Sequence, residues 1–266
     1  MTAVLKVILT KTAFTLGQGL VFFLIANLTV FVTAGAEARA TNSATCFVDE
    51  NANPLPRFYL ICEKLQAFFG SNMPPQYTVE ITTGALFSRF DPFLATLLIR
   101  DQDFRQRPVN VIAHEAAHIS MAKLTHGYSM SNEFRFIDEG FATFFANEIV
   151  ENRAEFKQKV LHVAAGQHLE KNVSFALVQD WKKFWGDTKN PANEGRSSFN
   201  YDAYYVGTSF IYFFLDTYGE NTLKEFLQRL PHSGSLGDTF NAILKRPLPE
   251  IEHLWLNYLS VIQPDK

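Results

Sequence analysis

Residues 108–127 constrain the fold most strongly. Val109, Ile112, Ala113, Ala116, Ala117, Ser120, Met121 and Leu124 recur at helical spacing, so the stretch is expected to be a helix with a wide apolar face. Pro108 suits its first turn and Gly127 its stop. Yet His114, Glu115 and His118 interrupt the apolar run. An unpaired glutamate among such neighbours is costly to bury, so the fold has to bring partners to it. Residues four apart lie one turn apart on the same helix face. Both imidazoles can therefore reach one metal ion, with Glu115 close enough to meet a water beside it. In a chain of 266 residues with 7 histidines, chance produces a His-Glu-x-x-His about once in a hundred such sequences. An accidental match is the weaker reading.

A catalytic metal site of this kind needs a third protein ligand and an open position. A histidine six residues after His118 would be one solution, but Leu124 stands there. His126 falls beyond the expected helix end and reads as a surface residue. The other solution is a glutamate on a following helix. Residues 136–143 read Phe-Ile-Asp-Glu-Gly-Phe-Ala-Thr and place Glu139 21 residues after His118. Gly140, next to it, permits close approach of another backbone. Metal-bound histidines usually donate their second N–H to a carboxylate or carbonyl, which makes Asp138 and Thr143 candidates for supporting contacts. Asp138 is expected to point off the Glu139 face and to act as a helix-start carboxylate instead. Thr143, four residues after Glu139, shares its face.

His-Glu-x-x-His followed by Asp-Glu-Gly-Phe-Ala-Thr resembles the gluzincins, the aminopeptidase-N-like zinc peptidases and their small bacterial relatives. The resemblance covers roughly residues 75–260. It implies a zincin-like domain that binds Zn2+ through His114, His118 and Glu139, with Glu115 as catalytic base. Tyr204-Tyr205-Val206-Gly207 before an apolar stretch is similar to the family's Tyr-x-x-Gly helix. That likeness implies Tyr204 as oxyanion stabiliser, with Tyr205 as the alternative. Either tyrosine alone reads as a core aromatic. Aminopeptidases of this clan carry a Gly-x-Met-Glu-Asn strand whose glutamate grips the free amine of the substrate. The nearest candidate here, residues 84–88, has no glutamate, so endopeptidase or oligopeptidase action is expected. The expected partner is a peptide or protein substrate. A zinc-binding but inactive module, or an exported structural domain with an accidental motif, are the competing readings.

The N-terminus is a separate object. Lys6 and Lys11 precede an apolar run over residues 20–33, and small-x-small sites follow at 34–36 and 38–40. This pattern predicts a secretory signal peptide over residues 1–40 and a single domain over 41–266. An uncleaved membrane anchor around residues 13–35 is the alternative, and only then is a membrane contact expected. Either way the domain is exported, periplasmic or secreted. Removing residues 1–40 takes away Lys6, Lys11, Arg39 and Glu37, two net positive charges, and moves the formal charge from −3 to −5. A mildly acidic chain without a dense Lys/Arg cluster is not expected to bind nucleic acid. Cys46 and Cys62 are the only cysteines. In an oxidising compartment they are expected to pair; in a reducing one they would be buried thiols. Cys46, Asn51-Ala52 and Cys62 are also similar to a cysteine-bounded Asn-Ala hairpin of exported metallopeptidases.

Strands are expected over residues 77–83 and 94–100, and residues 57–65 start strand-like before running into a helix. A second helix is expected over 136–150, with others at 153–170, 175–185, 201–218, 221–230, 236–245 and 249–262. Gly219 suits the end of the 201–218 helix. The polar stretch 186–200 reads as a loop that could cover a cleft. Strands first and helices after predict an α+β fold, a short N-terminal antiparallel sheet followed by a mostly helical domain.

Overall fold

Four short strands open the described chain: β1 (Phe47–Asp49), β2 (Tyr77–Thr82), β3 (Arg89–Asp91) and β4 (Thr96–Arg100). The computed structural model describes residues 45–150, 153–186 and 200–261. The expected leader and the expected cleft-covering loop lie outside the described residues, apart from Gly186 and Asn200 at the loop's ends. In the sheet the strands are ordered β1-β2-β4-β3. The expected antiparallel sheet is instead mixed. Both β1 and β4 run parallel to β2, and only β3 pairs antiparallel, with β4. Two connections cause this. Helix α1 (Tyr59–Phe69) lies between β1 and β2, and a crossover of that length carries the chain back to the same end of the sheet, so β2 runs parallel to β1. The chain then passes through β3 on the far side of β4 before entering β4, which leaves β4 parallel to β2.

No strand forms over residues 57–65. Pro56–Phe58 make one 3-10 turn and α1 follows at once. Phe58, Ile61, Cys62, Leu65 and Phe69 are all buried, a stripe of helical period. A disulfide joins Cys62 to Cys46 at the head of β1. By constraining the unfolded chain, a loop of this length contributes about 3 kcal/mol. Asn51-Ala52 lie in a tight turn in which Asp49 Oδ1 accepts from the backbone N–H groups of Asn51 and Asn53, at 2.9 and 2.8 Å.

Among the described residues ten further helices follow: α2 (Asp101–Gln106), α3 (Pro108–Leu124), α4 (Arg135–Val150), α5 (Arg153–Lys171), α6 (Phe175–Val178), α7 (Trp181–Phe184), α8 (Asp202–Tyr218), α9 (Glu220–Ser233), α10 (Leu236–Leu244) and α11 (Leu248–Ser260). The fold is α+β and mostly helical. The helix expected over 175–185 is two short ones. The break falls at Gln179 and Asp180, where Asn132 intervenes: its Nδ2 donates to Asp180 Oδ1 and its Oδ1 accepts from the Lys182 N–H, both at 3.0 Å. Gly127 ends α3 as expected. Its φ of 83° is left-handed, and its N–H donates to Ala122 O at 2.7 Å, a closure that favours glycine.

Helix α3 lies in the middle of the core. One side meets the sheet, where the Tyr77 hydroxyl and Ser120 Oγ are 2.6 Å apart. Another side packs on α4, which packs in turn on α8. The α4–α8 contact is backbone on backbone. A Cβ built on Gly140 would stand 2.3 Å from the carbonyl carbon of Gly207, and one on Gly207 would stand 2.2 Å from Phe136 O. Thr208 Oγ1 stands between Tyr204 O of its own helix, at 2.8 Å, and Gly140 O across the crossing, at 3.1 Å, and its proton is shared between them. Behind it, Phe175, Phe210, Phe240 and Trp255 pack ring against ring.

The disulfide points to an oxidising, exported environment. No helix among the described residues is long and apolar enough to cross a membrane.

Candidate metal centre

The α3–α4 packing brings three donor atoms to one point. His114 Nε2 and His118 Nε2 are 3.1 Å apart. Glu139 Oε2 lies 3.3 Å from the first and 3.2 Å from the second. Ligands held about 2.0–2.1 Å from a tetrahedral ion stand about 3.3 Å from one another, so these atoms already have the spacing of one face of a coordination tetrahedron. Glu139 Oε2 is buried and has no aligned hydrogen-bond donor, an unmet acceptor that a cation would satisfy. His114, His118 and Glu139 could therefore hold a metal ion. Among the described residues no other trio of His, Cys, Asp or Glu comes together in this way.

Neighbouring groups fix the ligands. Asp138 is fully buried and its Oδ2 lies 2.9 Å from His118 Nδ1. The two atoms are close without being well aligned. In the neutral ring that a metal requires, a carboxylate on that nitrogen favours the tautomer whose Nε2 lone pair faces the donor triangle. The expectation that Asp138 points away from the site is corrected. The first turn of α4 lies against α3, so residues 138 and 139 both reach the histidines. Arg135, one turn earlier, donates from Nη1 to Asp138 Oδ2 and from Nη2 contacts Glu139 Oε1, each at 2.7 Å. Phe90 on the edge strand β3 stacks on the His118 ring at 4.8 Å. Thr143 is not brought to the ligands. Its carbonyl accepts from Asn147 Nδ2 at 2.7 Å.

The electrostatics follow from burial and close pairing. Burial disfavours the charged form of His118, but the carboxylates of Asp138 and Glu139 more than offset this and push its pKa up to about 10. For Glu139, burial alone would raise the carboxyl, yet Arg135 and His118 hold it well below the usual range. Glu115 is buried, and burial pushes its carboxyl up against the opposing pull of His114 and His118. It sits beside the triangle rather than in it.

Tyr204 and Tyr205, adjacent on α8, go to different places. The ring of Tyr204 lies 6.2 Å from that of His114 and is held edge-on by Trp181 and Trp185 at 5.9 and 6.0 Å. Burial first, and then the carboxylate of Glu139, keep its phenol protonated far above the ordinary range. Tyr205 packs instead on Phe156 at 6.2 Å and under Lys159. The close Gly140–Gly207 crossing sets this arrangement, because Tyr204 stands three residues before Gly207 and Glu139 one before Gly140. His126 is exposed, at a left-handed φ of 49°. Its ring neighbour is His232, at 6.4 Å.

Sequence reasoning missed Arg135, Phe90 and the two tryptophans. Arg135 had a signal: it lies three and four residues before Asp138 and Glu139, the spacing at which helical side chains meet. Phe90 had none, because its place depends on the β3–β4 pairing. No family model and no curated protein sequence matches the chain.

Proposed function

We propose that the protein is a zinc-dependent peptidase of the gluzincin type, acting outside the cytoplasm on peptide bonds within a chain. The observation that carries this reading is the triangle of His114 Nε2, His118 Nε2 and Glu139 Oε2, with edges of 3.1–3.3 Å. Two imidazoles, one carboxylate and an open fourth position suit zinc in its catalytic form. When bound, zinc supplies Lewis acidity: it polarises the scissile carbonyl and lowers the pKa of a water to about 7. Glu115, next to His114 on α3, takes the proton of the attacking water and delivers it to the leaving amine. Tyr204 donates its hydroxyl to the carbonyl oxygen as negative charge develops there. The α+β arrangement, a small sheet followed by the α3–α4 pair, is zincin-like on this reading.

The absence of a glutamate from residues 84–88 favours cleavage within a chain. These residues lead into β3, whose outer backbone edge can pair with an extended peptide. The one carboxylate on β3, Asp91, is engaged in its own turn, accepting from the Phe93 and Leu94 N–H groups at 2.9 and 3.0 Å.

Elemental analysis of the purified chain is expected to find about one zinc per molecule, lost or greatly weakened in His114→Ala and Glu139→Gln. A folded wild-type chain that takes up no zinc when zinc is supplied would sink the reading. Tyr204→Phe is expected to bind zinc normally and to lose about 10²-fold in kcat with little change in KM. Wild-type turnover by that variant would remove Tyr204 from the mechanism.

A further inference from the structure

We infer that Arg135 is a positioning residue of the metal centre, one that presents a single oxygen of Glu139 to the ion and turns Asp138 toward His118. The inference rests on the metal-site reading above and adds a part the ligand motif does not contain. Asp138 and Glu139 are consecutive on α4, both buried, and both directed at α3. Two carboxylates so close repel one another and tend to take up a proton or turn apart. Arg135 prevents this from one turn away. Its two terminal nitrogens reach one oxygen of each carboxylate at 2.7 Å, a use of the planar fork that a point charge cannot reproduce.

The consequences are specific. Glu139 Oε1 is taken by Arg135, so only Oε2 faces the histidines, and the carboxylate is confined to one-oxygen ligation. Asp138 Oδ2 lies between Arg135 Nη1 at 2.7 Å and His118 Nδ1 at 2.9 Å. A continuous chain therefore runs from one ligand to another: Glu139 Oε1, Arg135, Asp138 Oδ2, His118 Nδ1. Phe90 touches that chain at two of its members. Its ring lies 5.7 Å from the Arg135 guanidinium carbon and stacks on His118. Two of the three ligands are thus oriented by one cation.

The test compares wild type with Arg135→Lys and Arg135→Gln. Zinc affinity is measured by competition with a chromophoric chelator, and coordination by the visible absorption of the cobalt(II)-loaded proteins. Lysine keeps the charge but reaches one carboxylate at a time. Both variants are expected to bind zinc at least about tenfold more weakly, with the intense tetrahedral cobalt bands reduced as Glu139 swings to two-oxygen ligation. If Arg135→Lys matches wild type in zinc affinity and in cobalt spectrum, bridging geometry is not what Arg135 provides and the inference falls. Thermal melting of the metal-free proteins checks folding, and Arg135→Lys decides the matter where Arg135→Gln does not fold. A wild-type chain that binds neither metal overturns the metal-site reading itself; a wild-type chain that binds both, with unaltered variants, overturns only the role of Arg135.

Discussion

Glu115→Gln will leave the protein folded and zinc-loaded while lowering kcat/KM for peptide hydrolysis by roughly 10²- to 10⁴-fold, the usual contribution of a positioned acid-base group. The substitution keeps the volume of a side chain that is 6% exposed, so no cavity opens and α3 keeps its packing. Glutamine cannot take a proton from water or return one to an amine. Zinc content should not change, because the donor atoms within reach of one another are those of His114, His118 and Glu139. The measurement is hydrolysis of an unfolded protein or a peptide library, read beside zinc content and melting temperature. Undiminished turnover would show that Glu115 is not the base. A loss of zinc together with activity would instead make it part of the ligand shell.

Gly207→Ala is expected to be among the most damaging single-methyl additions in the molecule. The new Cβ would stand 2.2 Å from Phe136 O and 3.1 Å from Gly140 Cα. Both are backbone atoms, so no flexible side-chain end can move aside, and α4 and α8 must separate. Overpacking against backbone falls at the upper end of the usual range, about 3 kcal/mol, or a fall in Tm of roughly 6–12 °C for a domain of this size. Activity should fall further than stability, because Glu139 and Tyr204 ride on the two helices being pushed apart. Gly166→Ala in α5 is the control. A Cβ there meets nothing within 4 Å, and alanine in a helix interior is favoured over glycine by up to about 1 kcal/mol. If Gly207→Ala melts with wild type, the close crossing is not a constraint and the account of how Tyr204 reaches the site fails with it.

What could be read from the sequence had a local cause. The α3 helix, with Pro108 at its start and Gly127 at its stop, follows from period and punctuation, and the structure has it over Pro108–Leu124. Glu139 was reachable because its glycine neighbour and the 21-residue spacing restrict where α4 can lie. Strand direction was not reachable. Whether β2 pairs parallel or antiparallel with its neighbours depends on how α1 crosses the sheet and on which side of β4 the short β3 takes, and nothing in the alternation of Tyr77, Val79 and Ile81 records either. The strand-like start given to residues 57–65 shows the opposite failure. Phe58, Ile61, Cys62 and Leu65 fit a helical stripe, but a short β-branched and aromatic run suits both periods until the next turn is known. Strand β3 and helix α2 are too short to show any period. Asp138 was misdirected because neighbouring helical residues point about a hundred degrees apart; only the depth at which α4 sits against α3 lets both carboxylates reach histidines.

The ligands of the candidate centre stand on two helices that are held by contacts of their own. The Tyr77–Ser120 pair, the Gly140–Gly207 crossing and the Thr208–Gly140 bond involve no donor atom of the triangle. On the metal-site reading, uptake of the ion is thereby separable from folding. The chain can close its disulfide, assemble its helices, and take up an ion last, from whatever supply its compartment offers. The ion then adds stability by mass action to an apoprotein already in shape, unlike the small zinc domains that stay unfolded until loaded. Chelation should accordingly yield a silent protein that can be reactivated rather than an aggregate.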